Sequence, residues 1–269
     1  WHREQLMKLR PMLWCVRDTW AKPFPSSEAL SMLELQNINA SYGQAQVLFD
    51  VSLSIPRGHL LLIRGLNGAG KSSLLKTIMG LMPQATGQIF WQGEALHALA
   101  PFERSQKGLG YVPEDRRIFT DLTVMENLEV GKQSPRHWPD GTPAPQWSPQ
   151  RLFELFPNLG EMPHRPGGSM SGGEQQMLTV ARSLMGNPFL VLLDEPSEGV
   201  APLIVEQMVQ MILALKAQGV SILLSEQNMH FAELVSDRAY VLEKGQIRYQ
   251  ASMQDLAANE EVRRNYLSV

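Results

Sequence analysis

Residues 60–72 read LLLIRGLNGAGKS, and their reading decides the fold. The first five residues hold an apolar run without alternation, the pattern of a strand buried on both faces inside a sheet. The next eight, GLNGAGKS at 65–72, fit G-x-x-x-x-G-K-[ST], and apolar spacing through 72–81 predicts a helix behind them. Strand, glycine loop and helix in that order make a phosphate cradle. Gly65, Gly68 and Gly70 let the backbone wrap an oxyanion with its N–H groups turned inward, and the helix start adds the positive end of a dipole. Lys71 offers a point charge to β- and γ-phosphates, and Ser72 a hydroxyl to Mg2+. Asn67 and Ser73 add phosphate contacts, and Leu66 and Ala69 complete the phosphate-binding loop.

Outward from this stretch, 189–195 (FLVLLDE) is a second apolar run, ending in two carboxylates. In open α/β sheets ligands bind at the carboxyl ends of the strands, so Asp194 is expected to face the magnesium. Glu195, one residue on, points elsewhere and is positioned to polarise a water against the γ-phosphate. A third apolar strand at 220–224 and a helix at about 202–217 make the alternation of strands and helices that implies a parallel sheet. Residues 33–38 and 47–55 read as half-buried strands, the second with Val47, Phe49, Val51, Leu53 and Ile55 at period two. Residues 239–250 read as a hairpin around Lys244-Gly245. Between these parts, helical pieces near 123–131 and 150–156 are joined by 133–149 (QSPRHWPDGTPAPQWSP), expected to be an exposed, variable loop.

Composition sets the outer limits. A chain of 269 residues, 43% hydrophobic and 19% charged, has material for a buried core and is neither disordered nor a disulfide scaffold. Its net charge of −3 gives no global basic field for nucleic acid, so an anion must be held locally. One cysteine, Cys15, excludes an internal disulfide and fits a reducing compartment. No apolar run approaches the roughly 18 residues that would cross a bilayer, and the N-terminus lacks a signal-peptide pattern. Residues 1–31 stand apart, with Trp1, Trp14 and Trp20 and a Pro/Ser stretch at 23–27; Met32 looks like a natural start, and 1–31 is expected to be an appended extension irrelevant to activity.

Residues 169–176 read SMSGGEQQ before a helix carrying Met177, Val180, Ala181 and Leu184 on one face. Ser171 and Glu174 satisfy a helix capping box. The segment also resembles the signature of ATP-binding cassette (ABC) ATPases, and the order 65–72, 171–175, 189–195 is that family's order. The resemblance covers 32–269. It implies an α/β P-loop NTPase of the ABC-ATPase fold: a mixed central sheet, an antiparallel β subdomain, and an inserted helical subdomain at about 100–185. It places Tyr42 on the adenine. It presents Ser171, Gly172, Gly173 and Glu174 to ATP held by an opposing subunit.

Four positions depart from the common family pattern. Glu114 replaces the Q-loop glutamine and is expected near the metal with Ser72 and Asp194. Glu174 replaces the signature's fifth residue, Ala201 the D-loop aspartate, and Gln227 the switch histidine. Gln227 can hydrogen-bond a γ-phosphate but cannot become cationic. Taken together, VPE-x-RR, SGGEQQ, DEPS-x-G-x-AP and EQN, with Arg264-Asn265-Tyr266-Leu267 near the end, resemble the ATP-binding subunit of branched-chain amino acid importers and their urea or amide relatives. That resemblance implies ATP and Mg2+ as cofactors, Glu195 and Gln227 as catalytic residues, and peripheral attachment at the cytoplasmic face of the inner membrane. It also implies a second ATPase subunit, with a heterodimer expected, two permease subunits and a solute-binding protein, and no nucleic acid. Two alternatives stand beside it: a soluble ABC ATPase outside transport, and a nucleotide-binding module with little hydrolysis.

Overall fold

The computed structural model describes residues 31–259; Cys15, the three early tryptophans and 264–267 lie outside the described residues. Two sheets carry the fold. The larger has six strands: β3 (Leu60–Arg64), β6 (Leu109–Val112), β7 (Leu190–Asp194), β8 (Ser221–Ser225), β9 (Arg238–Glu243) and β10 (Gln246–Ser252), in the order β10-β9-β3-β8-β7-β6. All its neighbours are parallel except the β9–β10 hairpin. That hairpin turns at Lys244 and Gly245, both at positive φ, the conformation of a tight two-residue hairpin turn. The smaller sheet is antiparallel, β2-β1-β4-β5, from β1 (Ser31–Tyr42), β2 (Ala45–Pro56), β4 (Gln84–Trp91) and β5 (Glu94–Ala95).

The apolar runs are continuous because the central strands are covered on both sides. Leu60 and Leu62 of β3, Val191 and Leu193 of β7, and Ile222 and Leu224 of β8 enter one core. Helices α3 (Val124–Gly131), α6 (Gly172–Leu184) and α7 (Pro202–Ala217) supply Leu128, Met177 and Ile212 to the same core. The intervening residues, Leu61, Ile63, Leu190, Leu192 and Leu223, point the other way, into a core shared with the small sheet and α1 (Lys71–Ile78). Period-two geometry therefore divides one sheet between two cores. The remaining helices are α2 (Pro101–Gln106), α4 (Pro149–Leu155), α5 (Pro157–Gly160), α8 (Met229–Val235) and α9 (Met253–Ala258). The expected helical insertion over about 100–185 contains β6, a strand of the main sheet.

The proline-rich segment is the loop expected from its composition, exposed at most of its positions, but it is pinned to the body at three of them. Trp138, Ala144 and Trp147 are buried. Trp138 lies against Phe189 with ring centroids 4.7 Å apart, and the Arg57 guanidinium sits 3.7 Å above its ring. Arg136 donates to the Gly186, Gln106 and Ser105 carbonyls, and Asn187 accepts from the Trp147 N–H at 2.8 Å while donating to the Gln133 carbonyl. Proline rigidifies the path and two tryptophans anchor it, their apolar area buried while the polar residues between them stay exposed.

Candidate nucleotide site

Three segments distant in sequence meet because three adjacent strands are parallel. In the order β3-β8-β7 the carboxyl ends share one edge, and Ser225 pairs with Ile63 on one side and Asp194 on the other. The glycine loop leaves β3, residues 226–228 leave β8, and Asp194-Glu195 end β7.

The loop is fixed from behind. Gly70, the residue before α1, has φ 107° and gives the helix no side-chain cap. The N–H groups of that helix start are therefore not taken by a neighbouring side chain. Close approach also fixes Gly65, where a Cβ would meet the Leu242 carbonyl oxygen at 2.4 Å. Gly245 donates to the Ala69 carbonyl at 2.9 Å and accepts from Phe49 at 2.8 Å, so the β9–β10 turn and β2 buttress the loop.

Lys71 is 4% exposed; its Nζ donates to the Gly65 and Leu66 carbonyls at 2.9 and 3.1 Å and pairs with Glu195 Oε1 at 3.0 Å. Gln227 Nε2 donates to Glu195 Oε2 and to Asn67 Oδ1, each at 2.6 Å. Ser72 Oγ donates to Asp194 Oδ1 at 3.0 Å, and the Tyr111 hydroxyl reaches Asp194 Oδ2 at 3.4 Å. Thus Asn67, Gln227, Glu195 and Lys71 form one connected group, and Ser72, Asp194 and Tyr111 form a second beside it, with Ser72 and Asp194 adjoining Lys71 and Glu195 along the chain.

The two carboxylates are in different electrostatic settings. Burial raises the Asp194 carboxyl above the usual range, partly offset by the Ser72 hydroxyl. Burial also pushes Glu195 up, but hydrogen bonds from Glu198, Lys71 and Gln227 outweigh it and hold the carboxyl below its ordinary value. The Glu198 carboxyl, which shares that hydrogen bond, is pushed up to about 7. Tyr111 is raised by burial and the adjacent Asp194 charge, so it stays a neutral donor.

The structure leaves other predicted positions apart. Tyr42 is exposed at the end of β1. Glu114 is exposed, and among the described residues no hydrogen bond joins it to Ser72 or Asp194; only its charge reaches Asp194. Ser171 and Glu174 form the expected capping box on α6, with the Ser171 N–H donating to Glu174 Oε2 at 2.7 Å. Among the described residues no hydrogen bond or ion pair joins 171–174 to the glycine loop. Sequence reading passed over Arg64, Tyr111, Glu198 and Glu226 as contributors. A signal existed for Arg64, a charge closing an apolar run. Glu226 accepts N–H groups from Ser197, Gln227 and Asn228, a role that only the fold reveals.

The donors fit a small hard cation. Ser72 and Asp194 present two oxygens at 3.0 Å separation, and among the described residues no cluster of three His, Cys, Asp or Glu forms an all-protein cage. Mg2+ takes few protein ligands and completes its shell with water and phosphate oxygens.

Comparison with known proteins identifies the family. The ABC transporter family model matches residues 48–198. The chain is 42% identical to the high-affinity branched-chain amino acid transport ATP-binding protein BraG of Pseudomonas aeruginosa, over 88% of this chain and 99% of that one. It is 34% identical to the lipopolysaccharide export system ATP-binding protein LptB of Haemophilus influenzae, over 88% and 98%. Among solved structures, the ADP conformation of MJ1267, an ATP-binding cassette of an ABC transporter, superposes with a TM-score of 0.70 at 26% identity, covering 89% of this chain and 99% of that one. With the family model over more than half of the chain and these relatives over nearly nine-tenths of it, the chain belongs to the ABC transporter family of ATP-binding, ATP-hydrolysing subunits.

Proposed function

We propose that this subunit hydrolyses ATP to power import of a small solute, with branched-chain amino acids the favoured class. The carrying observation is the Lys71–Glu195–Gln227–Asn67 cluster, which sets a buried carboxylate and a neutral amide beside the phosphate loop. In this reading the loop 65–73 binds ATP through backbone N–H groups, Lys71 neutralises phosphate charge, and Tyr42 stacks on the adenine. Ser72 and Asp194 hold Mg2+, which would supply charge neutralisation at the phosphates, with Glu114 nearby. Glu195 accepts a proton from the attacking water as its oxygen bonds to the γ-phosphorus and the bond to the β-phosphate oxygen breaks; Gln227 orients the reacting groups. Hydrogen bonds from Glu198, Lys71 and the amide of Gln227 keep Glu195 ionised for that task.

Ser171, Gly172, Gly173 and Glu174 contact ATP of a second ATPase subunit, which accounts for their separation from this chain's own loop. Residues 32–269 form the cassette, with 1–31 outside it. Two permease subunits and a solute-binding protein complete an assembly in which this chain sits peripherally at the cytoplasmic face of the membrane. Among the described residues no helix is long and apolar enough to cross a membrane.

The cargo reading rests on the higher identity to BraG than to LptB. Reconstitution with permease partners in vesicles tests both parts. Glu195→Gln is expected to lower ATPase turnover on the order of 10²–10⁴-fold, and unchanged turnover would remove the assigned catalyst. Uptake of labelled leucine, isoleucine or valine is expected; lipopolysaccharide extraction in their place would reassign the cargo.

A further inference from the structure

Arg64 ends β3 where the apolar run would call for another hydrophobe, and it is only 4% exposed. Burying a guanidinium is costly unless it is hydrogen-bonded and faces opposite charge. Arg64 has both: Nη1 donates to the backbone carbonyl of Gln227, and the charges of Glu226 and Glu195 face it. Its Nε has no hydrogen-bond partner, so the contact with Gln227 is the main anchor.

Gln227 is held from several directions. Its N–H donates to Glu226 Oε2 at 2.8 Å, and Glu226 Oε1 accepts the Ser197 N–H at 3.0 Å, tying the residues after β8 to those after β7. Its carbonyl is taken by Arg64, and its side-chain amide bridges Asn67 and Glu195. Arg64 is the one member of this set that brings a permanent positive charge from β3, and a guanidinium stays cationic across the working pH range.

We propose that Arg64 is a positioning residue for ATP hydrolysis: its buried guanidinium holds the Gln227 backbone so that the amide meets Glu195 and Asn67, and supplies beneath the site a fixed positive charge that glutamine lacks. This rests on the reading that Glu195 and Gln227 act on the γ-phosphate. A one-ångström misplacement of such a group costs on the order of 10²-fold in rate.

The test is a double-mutant cycle on steady-state ATPase of the subunit assembled with its permeases, using Arg64→Met, Gln227→Ala and their combination. Arg64→Met is expected to lower kcat on the order of 10- to 100-fold with KM for ATP little changed. In the Gln227→Ala background it is expected to cost much less, since the side-chain amide that it positions is gone and only its charge beneath the site remains. Equal losses in both backgrounds, or unchanged kcat, would overturn the proposal, because a merely structural arginine is indifferent to the side chain at 227. Should Arg64→Met fail to fold, Arg64→Lys, which keeps the charge and loses the fork, is expected to retain folding and carry the same cycle with a smaller loss. Glu195→Gln run alongside separates the two failures: normal turnover in that variant sinks the assignment of Glu195, whereas its collapse together with additive Arg64 and Gln227 effects sinks this inference alone.

Discussion

Truncating Trp138 to alanine isolates the contribution of the proline-rich segment. The indole is 5% exposed, lies 4.7 Å from the Phe189 ring, and is covered by Arg57 at 3.7 Å. A tryptophan of this burial removes roughly 150–250 Å² from water, which at about 25 cal/mol/Å² is a gross term of about 4–6 kcal/mol. Part of that area survives in alanine, and partial collapse of the site offsets some of the rest, so a loss of about 3–5 kcal/mol is expected. For a protein of this size that lowers Tm by roughly 6–20 °C. Trp138→Phe, which keeps a ring against Phe189, is expected to lose less. The effect should stop at stability. Phe189 precedes β7 at the end opposite Asp194, about 16 Å away along the strand, so kcat and KM measured well below the new Tm should match the parent. Thermal unfolding by circular dichroism, with ATPase assays at low temperature, gives both readouts. A Tm shift under about 2 °C, or a lower kcat in the folded variant, would refute the account of this segment as a structural anchor remote from the site.

Further expectations concern the site itself. Gly65→Ala forces a Cβ against the Leu242 carbonyl at 2.4 Å and the Ala69 Cβ at 2.9 Å. It should cost about 1–3 kcal/mol and weaken nucleotide binding. Gly68→Ala, at φ 78° in open space, should cost about 1–2 kcal/mol from backbone strain alone; nucleotide titration and melting of both variants check the contrast. Glu198, pushed up to about 7 by its hydrogen bond to Glu195 and by the nearby Glu114 and Glu226 charges, holds a proton in the folded state that the unfolded chain releases near 4.5. Its contribution is therefore full below the unfolded value and is lost as pH rises through about 7. Stability of the parent relative to Glu198→Gln should fall across that window, and parallel curves would contradict the carboxyl pair. Ser72→Ala removes the hydroxyl that donates to Asp194 and should raise the Mg2+ concentration for half-maximal ATPase by about tenfold, measured by magnesium titration at fixed ATP.

The sequence by itself determined the strand–loop–helix around Lys71, the acidic end of β7, the α6 capping box and the Lys244-Gly245 turn. Each of these is local: a few residues of defined backbone freedom, charge or periodicity suffice to specify it. The two-faced burial of β3, β7 and β8 was likewise legible, because continuous apolar runs have no other place in a sheet. Only the tertiary structure decided the rest. The order β3-β8-β7 brings Ser225 between Ile63 and Asp194, and so sets Gln227 against both Asn67 and Glu195; nothing in the spacing of 67, 195 and 227 encodes that order. Arg64 and Glu226 acquire their partners by the same route, and Trp138 is buried because Phe189 and Arg57, far apart along the chain, converge on it. Hydrogen bonds and contacts between such distant residues depend on strand neighbourhood and register, and these are properties of the assembled sheet rather than of any one segment.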